Sequence, residues 1–439
     1  MIEAAIPAAQ PVRRILFASL IGTTIEFFDF YIYATAAVLV FPTLFFPKQD
    51  PATAILQSFA TFALAFFARP IGSVLFGHFG DRIGRKATLV TALLTMGIST
   101  VLIGLLPTYA AIGVAAPAML ALCRFGQGLG LGGEWGGAVL LATENAPPGK
   151  EGWYGSFPQY GAPLGFICST GVFLAISTYL SAGDLFRWGW RVPFLASAVL
   201  ILVGLYVRLQ LVETPAFRRS LEQGERVRVP FLTVVAQHPR ALFLGILATT
   251  TTFLVFYLMT VFALSWATTT LGFPRSDYLV LQMAGVLFFA LTIPISSIAA
   301  DRIGSRSMLI LATIAIMAFG FTFEPLFGTH DALKVFVFLA VGFSLTGLTY
   351  GPIGSALASL FPTAVRYTGT SLTFNFAGIL GASLAPLIAA HLSSTYGLKF
   401  VGYYLSVAGL LTLVALLLIP APAPAAAAAA ALAKAGDQS

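Results

Sequence analysis

AIGVAAPAMLALCRFGQGLGLGGEWGGAVLLA (111–142) is apolar for longer than the roughly 20 residues a helix needs to cross a bilayer, yet it carries Arg124 and, further on, Glu134. An ionised side chain at bilayer depth costs about 3 kcal/mol or more, so it is retained where something needs it. The run RILFASLIGTTIEFFDFYIYATAAVLVF (14–41) repeats the anomaly with Glu26 and Asp29. Opposite charges on two embedded segments can bind a charged solute and a proton where water is scarce, which points to transport.

Composition sets the environment: 58% hydrophobic residues, 9% charged ones and a mean hydropathy of +0.90 exclude a soluble domain. Reading for spans predicts an all-α integral membrane protein with twelve transmembrane helices, near 15–41, 52–78, 87–106, 109–143, 153–180, 191–211, 240–271, 276–300, 307–327, 331–358, 366–392 and 397–419. The first run is too long and too acidic for a secretory signal and is read as an uncleaved span. The Ala/Pro stretch 421–439 is read as a disordered tail.

Lys and Arg concentrate between alternate spans, for example at Arg82, Arg85, Lys86, Arg218, Arg219, Arg226 and Arg228, with Arg208 counted among them. That bias places both termini in the cytoplasm. The net charge of +7 then reports topology, and no nucleic-acid partner is expected. Cys123 and Cys168 lie inside apolar spans and are read as buried thiols.

GHFGDRIGRK (77–86), between spans two and three, returns in degenerate form as IAADRIGSRS (298–307), between spans eight and nine. Two six-helix halves related by a parallel repeat, with a site between them near the midplane, describe a secondary-transporter architecture. The expected division is an N-terminal bundle 1–210, a polar linker 211–239 and a C-terminal bundle 240–420.

The 77–86 segment resembles the loop signature of the major facilitator superfamily, and RFGQG (124–128) resembles its fourth-helix motif. GTTIEFFDFYIYATAAVLVFPTLFFP (22–47), FARPIGSVLFGHFGDRIGRKATL (67–89), RFGQGLGLGGEWGGA (124–138) and GWRVPF (189–194) are similar to the metabolite:proton symporter family, and FPTAVRYTGTSLTFNFAGILGASLAP (361–386) extends the likeness. The resemblance implies a bacterial inner-membrane symporter taking up a small organic acid, dicarboxylate or zwitterion by alternating access. It implies no cofactor beyond the proton gradient. The implied partners are the lipid bilayer, the solute and protons, with the monomer as the working unit. It also implies a gating latch at Gly77, Asp81, Arg82, Gly84, Arg85 and Lys86, with a weaker copy at Asp301 and Arg302, where Ile298 and Ser305 break the pattern.

Glu26 and Asp29 share nearly one helix face, which suits a proton-coupling pair; the alternative is packing. Arg124 offers a fork for a carboxylate, or a structural bridge to Glu26, Asp29 or Glu134. Glu134 lies about 15 Å along the helix, beyond direct reach of Arg124, and is a further coupling candidate. Arg69 is read as buried toward the cytoplasmic half of the second span, with snorkelling inward as one option and a substrate role less favoured. Gln127, Gln159, Tyr160, Tyr257, Gln282, Tyr350 and Asn375 are polar candidates to line a cavity; satisfied packing is the alternative. Gly128-x-Gly130-x-x-Gly133 matches a dinucleotide fingerprint in letters only, lacking its strand, and reads as close helix packing.

The four histidines show no metal-ligand spacing and no phosphate-binding loop signature occurs, so neither an enzyme nor an ATP-driven pump is expected. An anion antiporter or facilitator, or a non-transporting solute sensor, remain the alternatives.

Overall fold

The computed structural model describes residues 12–47, 50–83, 85–147, 149–209, 230–362 and 365–420, with backbone alone at 12, 14, 15, 77–83 and 85–89. Among the described residues, twelve long helical rods form the bundle: α1 (Val12–Leu39), α2 (Pro51–Ile83), α3 (Arg85–Leu105), α4 (Ala115–Leu131 and Glu134–Glu144), α5 (Glu151–Tyr179), α6 (Arg191–Leu209), α7 (Pro239–Thr269), α8 (Arg275–Ile303), α9 (Ser305–Phe327), α10 (Ala332–Ala358), α11 (Arg366–Thr395) and α12 (Leu398–Leu418). Ten of them are long and apolar enough to cross a membrane. The other two are α3, whose described apolar part is Val90–Leu105, and α4, which breaks at Gly132-Gly133.

The irregularities have local causes. In α5 the break falls at Tyr160, where Pro163 has no N–H to give to Gln159. α7 widens to a π turn at Leu258–Phe262, and α11 does so at Ile379–Ser383. Asp50 accepts from the Thr53 amide at 3.1 Å and so caps the start of α2; these hydrogen bonds hold its carboxyl below the usual range.

Even-numbered helices end, and odd-numbered ones begin, at one end of the bundle, marked by the α8–α9 turn at Gly304 (φ 88). The opposite end is marked by the α7–α8 turn at Gly272 (φ 74). Both angles belong to the left-handed region that glycine enters at little cost. In the first half α1 packs on α5, α2 on α4 and α3 on α6; in the second, α8 packs on α10, and α7 and α9 on α12. The halves meet along α5–α8, α5–α10, α2–α11 and α4–α11.

Leu122, Val199, Leu291 and Leu417 are exposed on the outside, a surface suited to hydrocarbon and not to water. Cys168 lies on that surface and Cys123 is half-buried, so the expectation of two buried thiols is corrected. Small spaced residues on α5 face inward while Cys168 faces out, and apolar sequence alone does not separate lipid-facing from core positions. The tail 421–439, residue 210 and linker residues 211–229 lie outside the described residues, and the rest of the linker holds a short helix, Pro230–Gln237.

Candidate functional site

Glycines on α4 decide how deep Arg124 sits. A side chain at Gly128 would strike the backbone of Ala65 on α2, and one at Gly130 would meet Ala92 and Met96 on α3. The three helices therefore touch nearly backbone to backbone, as the packing interpretation of the glycine run expects. One turn earlier, Arg124 is fully buried. Its Nε donates to Phe62 O at 3.3 Å and its Nη1 to Gln127 Oε1 at 3.0 Å; Gln127 Nε2 in turn donates to Thr100 Oγ1 at 2.8 Å. The guanidinium lies over the rings of Tyr33 and Phe30, 4.1 and 4.2 Å from their centroids. Nη2 has no acceptor, and among the described residues no carboxylate pairs with Arg124. The structural bridge to Glu26, Asp29 or Glu134 is not formed.

α1 is drawn against α5 by Gly161 and Gly165, where added side chains would collide with Thr23, Phe27 and Phe28. This seats Glu26 and Asp29 in the interior, 3% and 0% exposed, without space for bulk water. Although they share a face, their neighbours differ. Asp29 Oδ1 accepts from Ser197 Oγ of α6 at 2.6 Å, and Oδ2 has no donor. Glu26 Oε2 also lacks a donor, and the cations whose fields reach this residue most strongly are Arg69 and Arg208.

Those two arginines were underweighted by sequence. Arg69 does not reach an interface: it is 5% exposed, with its guanidinium 4.6 Å from the Phe30 centroid and 5.0 Å from that of Phe66. Its Nε has no acceptor. Arg208, counted with the inner loops, is instead buried in the last turn of α6 and forms an ion pair with Glu134. Glu134 opens the second piece of α4, just past the glycine break, and Gly22 of α1 leaves room beside both partners. The signal available was position: Arg69 precedes Pro70 deep within an apolar run, and Arg208 precedes the polar interval rather than belonging to it.

The second half closes on this cluster with aromatic rings. Tyr257 packs on Phe66 and Phe62 at 5.5 and 5.8 Å, and Tyr31 meets Phe256 at 5.5 Å. Tyr31, Tyr257 and Tyr350 border a cavity of about 20 Å³ between the halves, enough for one water. Tyr350 Oη, buried at its edge, has no partner. Gln159 accepts from Trp135 Nε1 at 3.0 Å and donates to Tyr350 O at 2.8 Å, joining the halves. Asn375 donates to Ser73 Oγ and Gly132 O, both at 2.8 Å. Tyr160 is half-buried against the core. Gln282 lies apart from the cluster: its amide donates to Met259 O and Thr260 O at 2.9 and 2.8 Å, serving carbonyls at the π turn of α7 rather than a cavity.

Toward the Gly304 end the halves are fastened. Asp301 accepts from the Gly152 and Trp153 amides at 2.8 and 3.0 Å, capping the first turn of α5. Trp135 and Phe374 stack 3.5 Å apart, Tyr367 donates to Gly133 O, and Arg366 lies 3.9 Å from Glu144. Arg302 is exposed. Of Gly77, Asp81, Arg82, Arg85 and Lys86 only the backbone is described, and Gly84 lies outside the described residues. Among the described residues no group of His, Cys, Asp and Glu is placed to hold a metal ion.

Two enclosed cations, two enclosed acids with open oxygens and an aromatic wall can hold an anion and exchange a proton. Comparison with known proteins finds transporters. A sequence model described as Major Facilitator Superfamily matches residues 19–381. The inner membrane metabolite transport protein YhjE of Escherichia coli (strain K12) is 56% identical over 411 residues, covering 92% of this chain and 93% of that protein. The shikimate transporter of the same organism is 36% identical over 402 residues, covering 90% of each. Among solved structures, the partially occluded inward open conformation of the xylose transporter XylE from E. coli matches with a TM-score of 0.74 at 16% identity, covering 94% of this chain and 98% of that one. A likeness at that identity concerns the fold.

Proposed function

The chain belongs to the Major Facilitator Superfamily, a family of transporters and not of enzymes, and from that membership we propose proton-coupled uptake of a small carboxylate-bearing metabolite. It is a multi-pass membrane protein. The observation that carries the substrate class is the pair Arg69 and Arg124. Both guanidiniums lie within 4.6 Å of the Phe30 centroid, each keeps an N–H without an acceptor, and neither pairs with a carboxylate among the described residues. A buried guanidinium with an unmet N–H favours an anion, and its fork matches two carboxylate oxygens. A relative named for shikimate, itself a carboxylate, supports the same class.

In this proposal Asp29 and Glu26 take the proton, the bundles 1–210 and 240–420 rock about the site, and the Gly304 end faces the cytoplasm. A carboxylate arriving between the arginines changes the field at Glu26, which couples occupancy to protonation. The protein works as a monomer, with the proton gradient as its energy source and no cofactor. The test is uptake into proteoliposomes under an imposed pH gradient. Accumulation of an organic acid, with alkalinisation of the acidic outer medium, is expected. Exchange of pre-loaded solute without accumulation would replace symport by antiport or facilitation.

A further inference from the structure

Away from these charges, the ends of α7, α9, α10 and α12 enclose a cavity of about 590 Å³ at the Gly304 end, a volume typical of small-molecule sites. Its deep wall is apolar and buried, formed by Leu244, Ala248, Leu309, Ile353 and Leu416. Its mouth is cationic, with Arg240 and Arg306 beside His238, and none of the lining residues is acidic. Both arginines are held in place by the last carbonyls of α12. Arg306 donates from Nε to Leu416 O at 2.7 Å and from Nη2 to Leu417 O at 3.0 Å, and Arg240 donates from Nη2 to Leu418 O at 3.4 Å. Arg306 thus keeps Nη1 free of α12, and Arg240 keeps Nε and Nη1.

We propose that this cavity binds one anionic amphiphile, its acidic head between Arg240 and Arg306 and its hydrocarbon chain along the apolar wall. A soluble anion leaves that wall unmatched, and a neutral lipid leaves the two cations unmatched. The neighbouring phase supplies the ligand, since Leu311, Val414 and Leu417 on the adjoining helices are exposed on the outer surface, which suits hydrocarbon. Basic pockets between membrane helices are where acidic headgroups dock. Occupancy favours the arrangement of α7, α10 and α12 that contains the cavity, and so biases the transport cycle without touching the solute site.

The experiment uses the full-length protein in phosphatidylcholine nanodiscs with a trace of photoactivatable phosphatidylglycerol. Saturable labelling of α7 or α12 is expected, competed by unlabelled phosphatidylglycerol but not by added phosphatidylcholine or inorganic phosphate. Competition by oleate as well extends the ligand to free fatty acids, and its absence assigns a membrane phospholipid. Arg240→Gln, at an exposed position, should raise the half-saturating concentration roughly tenfold, the scale of one charged hydrogen bond. Ala248→Phe should block labelling by filling the cavity, with an unchanged thermal midpoint in plain phosphatidylcholine certifying the fold. Equal competition by phosphatidylcholine, or unaltered labelling in Arg240→Gln, overturns the proposal. Labelling that requires removal of residues 421–439 also overturns it and gives the cavity to the tail.

Discussion

Ser197 donates its hydroxyl hydrogen to Asp29 Oδ1 at 2.6 Å, tying α6 to α1, while the second oxygen of the same carboxylate meets no donor. A carboxylate anchored by one oxygen and open at the other is held in position for proton exchange. The prediction is that Asp29→Asn abolishes accumulation driven by a pH gradient yet retains counterflow of pre-loaded solute. Ratios of accumulated to exchanged solute in proteoliposomes decide it, and full accumulation in Asp29→Asn removes this residue from coupling. Glu26→Gln then receives the same assay.

Arg124→Lys and Arg69→Lys keep the charge but lose the fork. Each should weaken carboxylate binding by about 1.5–3 kcal/mol, the range for charged hydrogen bonds, or ten- to a hundredfold. Titration calorimetry with a carboxylate and its amide analogue is the measurement. If the wild type binds both equally, the anionic-solute hypothesis fails; if only Arg69→Lys binds normally, Arg69 is a packing cation.

Glu134 and Arg208 form a buried pair, so losing one partner should cost more than losing both. Because Glu26 also acts on Arg208, Glu134→Gln is expected to destabilise the fold by less than the about 3–5 kcal/mol of a pair with no other counter-charge, whereas the double variant Glu134→Leu with Arg208→Leu should recover much of the loss. Thermal unfolding in detergent reads the difference. A double variant as unstable as the single one would place the cost elsewhere than in an uncompensated charge.

Asp301 meets the amides of Gly152 and Trp153 at the positive end of α5. Asp301→Asn removes the charge worth about 0.3–1 kcal/mol there, so the hypothesis of a latch predicts a two- to fivefold shift toward a form open at the Gly304 end. Modification rates of a cysteine introduced at Ser371, beside Gly136 on the facing half, report that opening. Unchanged rates would make the cap a local feature of α5.

The twelve spans were legible because length and apolarity are sufficient to define them, and α4 was legible as a span even though its glycine break divides it. Glu26, Asp29 and Arg124 stood out as charges far from any polar stretch. Arg208 did not, since counting cations by loop absorbs any arginine near a helix end. Ser197 was silent for another reason: a serine in a helix commonly donates to its own preceding turn, and Pro193 O lies 3.3 Å from this hydroxyl, so that its one hydrogen goes instead to Asp29 is visible only in three dimensions. The two readings of Gln282, cavity lining and satisfied packing, could not be separated because a buried amide serving a widened helix turn and one lining a cavity look identical in sequence.

The break in α4 leaves the carbonyls of Gly132 and Gly133 facing the other half, where Asn375 and Tyr367 supply hydrogens; Gly132 O also accepts from Ser73 of α2, so Gly133 O depends more on the facing half. Inside a bilayer, a carbonyl that loses its donor must find another or bear a desolvation penalty of several kcal/mol. Separation of the halves at this end is therefore inseparable from hydration at Gly133: water has to follow α11 as it withdraws, and the first water file into the protein should form beside that carbonyl.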